Sequence, residues 1–164
     1  MTEPQIILGI DPGCTVTGYS ILKKINQKIS ILDYGYLPLP AKKHLSIRIG
    51  IFYEFFIKKL DSFPEVTHIA LETPFLHKNA QSFLKLGYLR GVLYLIANQR
   101  ELGLFEFSPR EVKLAVTGYG NASKEQVAKT LQLYFPNLTE QKKDDVTDAI
   151  AVSLCGAWSE NAQG

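Results

Sequence analysis

The hydrophobic pattern at the start of the chain predicts three β-strands. Residues 6–11 are apolar up to the carboxylate of Asp11, and residues 18–23 and 28–37 are further strand-like runs separated by the polar pair Asn26-Gln27. A short polar break between two such runs is typical of a hairpin. We therefore expect the chain to open as a three-stranded antiparallel meander.

Helical spacing begins after Pro38 and Pro40, where apolar residues recur every three or four positions. This spacing predicts an amphipathic helix over residues 43–61. A second apolar strand, over residues 67–72, then ends in Glu72, much as the first strand ends in an acid. The polar side of the predicted helix carries Lys42, Lys43, Arg48 and Lys58.

The second half of the chain is predicted to be mostly helical. Apolar side chains cover nearly the whole circumference of a helix over residues 79–98, so we expect it to be buried on more than one side, with a second copy of the chain or another helix covering what the sheet does not. The other predicted elements are a strand over 103–107, a helix opened by Ser108 and Pro109, a helix over 123–135 opened by Ser123 with Gln126 in capping-box spacing, and a last helix over 144–158.

Composition limits the classes of protein that this chain can belong to. With 164 residues and 46% hydrophobic content, we expect a single domain over residues 1–164 with a substantial core. A net charge of +2 does not by itself indicate a nucleic-acid partner. The widely separated Cys14 and Cys155 indicate free thiols, and no segment approaches the roughly 18 apolar residues of a membrane span. We expect a soluble, cytoplasmic protein without membrane contact.

Acidic residues stand where two apolar strands end and where the last helix begins. Asp11 precedes Pro12-Gly13, so it either caps that turn or serves as a functional acid. Asp145 and Asp148 are three residues apart, which places them on one helical face, while Asp144 is predicted to be the N-cap. If the two strands are neighbours in one sheet, the functional candidates Asp11, Glu72, Asp145 and Asp148 converge at one edge.

Four converging carboxylates repel one another and require cations. Their oxygen ligands suit Mg²⁺ or Mn²⁺ better than zinc, and such a set can hold two ions about 3.5–4 Å apart around a phosphodiester. The pattern therefore predicts metal-dependent phosphodiester hydrolysis.

Three sequence blocks together resemble the RuvC family of bacterial Holliday junction resolvases. The first is Ile-Leu-Gly-Ile-Asp-Pro-Gly (7–13) with Val-Thr-Gly-Tyr (16–19). The second is Glu-Thr-Pro-Phe (72–75) with Lys-Asn-Ala (78–80), Leu-Lys-Leu-Gly (84–87) and Arg-Gly-Val (90–92). The third is Asp145-x-x-Asp148-Ala149. The resemblance runs in family order from about residue 6 to residue 158.

This resemblance implies an α/β RNase H-like fold, with a five-stranded mixed β-sheet flanked by α-helices, that works as a homodimer. It implies an endonuclease that makes paired symmetric nicks in four-way DNA junctions during recombination and repair, beside the RuvA–RuvB branch-migration complex. In the family, acids at the positions of Asp11, Glu72, Asp145 and Asp148 hold Mg²⁺.

Four other residues are expected to contact DNA. The resemblance matches Lys113 and Lys124 to basic positions near the cut strand, and helical spacing places Arg110, three residues before Lys113, on the same basic face. Phe75 matches an aromatic that stacks on junction bases. His77 is read as a surface residue, and Cys14 as a thiol without a catalytic role.

Three other readings compete with the resolvase. One is a different RNase H-like, structure-selective nuclease. Another is a fragment of a sugar-kinase or actin-like ATPase, whose first strand also ends in Asp and Gly, although such proteins need two domains to enclose a nucleotide. A third is a junction-binding module without catalysis, which the presence of all four acids disfavours.

Overall fold

A computed structural model describes residues 3–74, 79–139 and 143–159 of the chain. Its sheet has five strands in the order β3-β2-β1-β4-β5. The strands are β1 (Gln5–Asp11), β2 (Val16–Ile25), β3 (Lys28–Pro38), β4 (His68–Glu72) and β5 (Gly103–Phe107). The helices are α1 (Leu45–Ser62), α2 (Ala80–Gln99), α3 (Pro109–Thr117), α4 (Lys124–Tyr134) and α5 (Asp144–Trp158).

The sheet is mixed, as expected. β1 pairs antiparallel with β2 and parallel with β4, while β4 pairs parallel with β5. β2 and β3 form the predicted hairpin, so the opening meander is confirmed. The buried run over residues 6–10 of β1 reflects its central place in the sheet, where both faces of the strand are covered.

Two hydrophobic cores lie on opposite faces of the sheet. Leu8 and Ile10 of β1 belong to a core with Phe52 of α1 and Leu93 of α2. Ile7, whose side chain points to the other face, belongs to a core built largely by α3, α4 and α5. The helices thus flank the sheet on both sides, as predicted.

Helix caps were predicted well at two of three positions. Ser108 and Ser123 each form a capping box with the residue three positions on, Glu111 and Gln126. The prediction for Asp144 is wrong, because Lys143 is the N-cap of α5 and no side chain caps that helix. Asp144 is instead the first helical residue, where its charge complements the helix dipole.

Arg48 is buried in the structure. The prediction that it lies on the polar side of α1 is wrong, because it is on the same face as Phe52, with 7% of its surface exposed. α2 buries Leu89 and Leu93 against the sheet and leaves Leu84, Tyr88 and Leu95 exposed. None of the helices in the described parts of the chain is long and apolar enough to cross a membrane.

Candidate active site at the edge of the sheet

Asp11 and Glu72 leave the sheet at the same edge. In the parallel pairing of β1 with β4, Ile10 stands opposite Leu71, and the two acids are the next residues of their strands. Parallel strands end on the same side of a sheet, which is why two acids that are distant in sequence become neighbours. This confirms the adjacency of the two strands that the sequence argument required.

Two glycines allow α5 to pack closely on the sheet, next to Asp11. A Cβ atom at Gly9 would lie 2.5 Å from the carbonyl oxygen of Ala149, and one at Gly18 would lie 2.0 Å from that of Asp145. Ser20 of β2 reinforces this packing by donating a hydrogen bond of 3.1 Å to the Ala149 carbonyl. Since no larger side chain separates helix and sheet, the first turns of α5 lie beside the end of β1.

The four acids act on one another electrostatically. The pKa of Asp11 is raised to about 8, most of all by burial and then by the charges of Asp148, Asp145 and Glu72. Burial also raises the pKa of Glu72, with Asp148 adding to the effect. The pKa of Asp148 is raised by burial and by the neighbouring charges of Asp144 and Asp145. The structure therefore brings together the four acids that the sequence singled out.

Among residues 3–74, 79–139 and 143–159, no group of three or more His, Cys, Asp or Glu side chains is arranged so that it could hold a metal ion. The donor chemistry nevertheless suits a hard divalent cation, because the cluster offers carboxylate oxygens and its charges are costly to bury together.

Two predicted lysines lie close enough to act on these acids. Lys113 of α3 and Lys124 of α4 both lower the pKa of Glu72 and of Asp148, and Lys124 also lowers that of Asp11. Lys124 additionally lies 3.8 Å from Asp144 in an exposed pair of the kind that contributes little to stability. Both lysines thus border the acidic cluster.

The remaining predicted DNA contacts are placed differently. The side chain of Arg110 is exposed and packs over Gly120, where a Cβ atom would lie 2.9 Å from its Cγ. Phe75 and His77 lie outside the described residues.

A cleft of about 510 Å³ opens beside the acids between α4 and α5, and its lining includes Lys124, Lys129, Thr147 and Asp148.

The sequence interpretation missed two buried arginines near the site. Arg90 of α2 donates a hydrogen bond of 2.6 Å to the backbone carbonyl of Glu72, and Arg48 of α1 donates one to the carbonyl of Cys14, just after the Pro-Gly turn. Helical spacing could have found Arg48, because it lies four residues before the buried Phe52. Each arginine ties a helix to backbone close to an acid.

The strand order of the sheet, with a cluster of acids at one edge, is that of an RNase H-like protein. A family model described as "Crossover junction endodeoxyribonuclease RuvC" matches residues 7–156. The chain belongs to the RuvC family.

Individual relatives agree with this assignment. The chain is 40% identical to the RuvC crossover junction endodeoxyribonuclease of Christiangramia forsetii, over 94% of this chain and 80% of the relative. It is 41% identical to that of Chloroherpeton thalassium, over 93% and 81% of the two chains. These relatives contradict the reading as a fragment of a sugar-kinase or actin-like ATPase.

Solved structures show the same fold. Thermus thermophilus RuvC in complex with a Holliday junction substrate superposes with a TM-score of 0.85 at 25% identity, over 93% of both chains. The yeast mitochondrial Holliday junction resolvase shares the fold. It superposes with a TM-score of 0.66 at 18% identity, over 93% of this chain and 79% of its own. The predicted RNase H-like architecture is confirmed.

Proposed function

We propose that this protein is a Holliday junction resolvase, an endonuclease that nicks four-way DNA junctions during recombination and repair. The observation that carries the proposal is the convergence of Asp11, Glu72, Asp145 and Asp148 at one sheet edge in a chain of the RuvC family. The Thermus thermophilus relative, solved with a Holliday junction substrate, supports the choice of DNA structure. The two free cysteines fit action in the reducing cytoplasm.

We propose that the four acids hold Mg²⁺, with Mn²⁺ as a substitute and two ions in each site. The raised pKa of Asp11 supports this, because a divalent cation would offset the mutual repulsion that makes its ionised form costly. When bound, such ions lower the pKa of an attacking water and stabilise charge on the leaving oxygen. Asp11 lies among the other three acids and would hold the cation together with them.

The protein's own side chains orient the DNA strand around this site. Lys113 and Lys124 border the acids and would contact the phosphates next to the cut, with Lys124 aided by the positive end of α4. The cleft between α4 and α5 offers room for a strand beside Asp148. Arg110 would extend the basic surface, and Phe75 would stack on a junction base.

We propose that the protein acts as a homodimer through the exposed stripe of α2. Leu84, Tyr88 and Leu95 lie on this stripe, and a Cβ atom at Gly87 or Gly91 would meet nothing within 4 Å. Two helices can approach closely at such a surface, and burial of its apolar side chains would favour association. A dimer supplies the two sites that paired nicks require, and we propose that it works beside a RuvA–RuvB branch-migration complex.

The proposal is tested by mapping the cuts on a mobile synthetic four-way junction in Mg²⁺. We expect two nicks, placed symmetrically in strands of like polarity, that DNA ligase can seal. Asp148→Asn serves as the inactive control, and a 5′ flap and an RNA–DNA hybrid serve as competing substrates. Preferential cleavage of either competitor would favour the alternative, another RNase H-like structure-selective nuclease, and no cleavage of any substrate by the wild-type protein would contradict a catalytic role.

A further inference from the structure

Arg90 is a buried cation whose guanidinium meets three elements of the fold. Only 6% of its surface is exposed, although it lies on α2, whose neighbouring face is open to solvent. One terminal nitrogen donates to the backbone carbonyl of Glu72 at 2.6 Å. The other donates to the Glu106 carboxylate at 2.5 Å and to the Tyr94 hydroxyl at 3.4 Å. A buried arginine with this many charge-assisted bonds has a fixed position.

These contacts join at the end of β4 that carries the acid. Glu106 of β5 stands opposite Leu71 in the parallel pairing, one residue before Glu72. Thr73, one residue after Glu72, donates a backbone hydrogen bond of 2.7 Å to Phe107. Arg90 therefore spans α2, β4 and β5 at the point where the chain leaves the sheet.

The position of Glu106 is itself fixed from two sides. Its carboxylate accepts hydrogen bonds from Arg90 and from the Tyr94 hydroxyl, one helical turn further along α2. The ring of Tyr94 also lies near the guanidinium, 5.9 Å from its central carbon. Because the charge of Arg90 is already neutralised by Glu106, its remaining donors are free to hold a neutral carbonyl, and that carbonyl belongs to Glu72.

We propose that Arg90 is a positioning residue that holds Glu72 in the acidic cluster by fixing the end of β4 to helix α2. The inference rests on the proposed metal-dependent function and assigns to Arg90 no contact with metal or DNA. Outer groups that orient a metal ligand commonly change metal affinity by about 10–100-fold when they are removed.

The test measures Mn²⁺ binding to the DNA-free protein by calorimetry, together with the melting temperature and junction affinity in EDTA. Arg90→Gln removes the charge and the bond to Glu72, and we expect its Mn²⁺ affinity to fall by about 10-fold or more. Arg90→Lys keeps the charge and can reach one partner, so we expect a smaller loss of Mn²⁺ affinity than in Arg90→Gln. Junction affinity in EDTA should stay within about twofold of wild type in both, because phosphate contacts dominate it.

Two controls separate positioning from stability. Glu106→Gln removes the counter-charge and should lower the melting temperature, yet it leaves the Arg90–Glu72 bond, so Mn²⁺ affinity should stay near wild type. Arg100→Gln removes an exposed arginine at the C-terminal end of α2, paired with Asp61 at 2.9 Å. It should change neither the Mn²⁺ affinity nor the melting temperature.

Wild-type Mn²⁺ affinity in Arg90→Gln, or in Arg90→Lys if the first variant does not fold, would overturn the inference. A loss in Glu106→Gln as large as in Arg90→Gln would also overturn it, because lost stability alone would then account for both. Failure of the wild-type protein to bind Mn²⁺ would instead contradict the proposed metal site, so the two failures are distinguishable.

Discussion

The two sides of the acidic cluster are supported by different physical means. Asp145 and Asp148 reach Asp11 because α5 packs directly on the sheet, through Gly9 and Gly18, without an intervening side chain. On the opposite face, a single long side chain, that of Arg90, ties α2 to the end of β4. The position of α5 depends on the absence of side-chain atoms at Gly9 and Gly18. The position of Glu72 depends on a charged hydrogen bond from Arg90.

This difference predicts how each side responds to change. Protein interiors are close-packed, so contact at the α5 side leaves no room for an added methyl group. The α2 side is polar and partly exposed, with 36% of the Glu106 side chain in contact with solvent, so it should tolerate changes of volume better than changes of charge. The following predictions test this contrast, beginning with the largest effect.

Neutralising an acid on either side should abolish nicking. We expect Asp11→Asn and Glu72→Gln each to lower the rate of junction cleavage in Mg²⁺ by at least about 1,000-fold, since a metal ion supplies several kcal/mol of transition-state stabilisation. Junction affinity in EDTA should be retained, because neither acid binds phosphate. Asp61→Asn, an exposed acid on α1, is the matched control and should cleave normally. Substantial cleavage by Glu72→Gln alone would show that the α2 side is dispensable.

Adding one methyl group on the α5 side should disturb both folding and the site. Gly18→Ala would force the backbone of Asp145 away from β2, and we expect a loss of about 1–3 kcal/mol in the free energy of unfolding, measured by urea denaturation. Cleavage should fall as well, because Asp145 and Asp148 move with the helix.

The matched control for that change is Gly50→Ala in α1. A Cβ atom at Gly50 would meet nothing within 4 Å, so alanine should stabilise the helix by about 0.5–1 kcal/mol. If Gly18→Ala proved as stable as this control, α5 would not be in the close contact that positions Asp145.

The sequence allowed the acids to be predicted, because their convergence depends on local pattern. Apolar strands that end in Asp11 and Glu72 can be recognised without a structure, and the spacing of Asp145 and Asp148 defines a helical face. The element order allowed these two strands to be neighbours, and their parallel pairing in the structure brings both acids to one edge.

The supports of the site could not be predicted in the same way. The need for glycine at residues 9 and 18 arises only from the helix that crosses them, more than a hundred residues later in the chain. The role of Arg90 depends on its hydrogen bond to the backbone carbonyl of Glu72 in another element of the fold, a contact that no local pattern records. Arg48 differs, because its spacing of four residues from Phe52 is enough to predict the buried helical face, although the sequence analysis assigned it to the polar side.

The smallest predicted effect concerns the pH dependence of stability without metal. The pKa of Asp11 is raised to about 8 in the folded protein, against 3.8 for the free group, so the folded state binds this proton more tightly. The contribution of Asp11 to stability is therefore present in full below about pH 4 and is lost as pH rises towards 8. Glu72 and Asp148, whose pKa values are also raised, act in the same direction.

Asparagine at residue 11 should remove most of this dependence. In EDTA near pH 4, Asp11→Asn and wild type should melt at similar temperatures, because ionisation of Asp11 in the unfolded state has by then cost the wild type little stability. At pH 8 the variant should melt higher by at least a few degrees, since each kcal/mol corresponds to about 2–4 °C for a chain of this size. Excess Mg²⁺ should raise the melting temperature of wild type but not that of the variant. Equal melting temperatures at both pH values in EDTA would mean that the α5 side holds Asp11 without electrostatic strain, and that close packing there carries no cost for a cation to relieve.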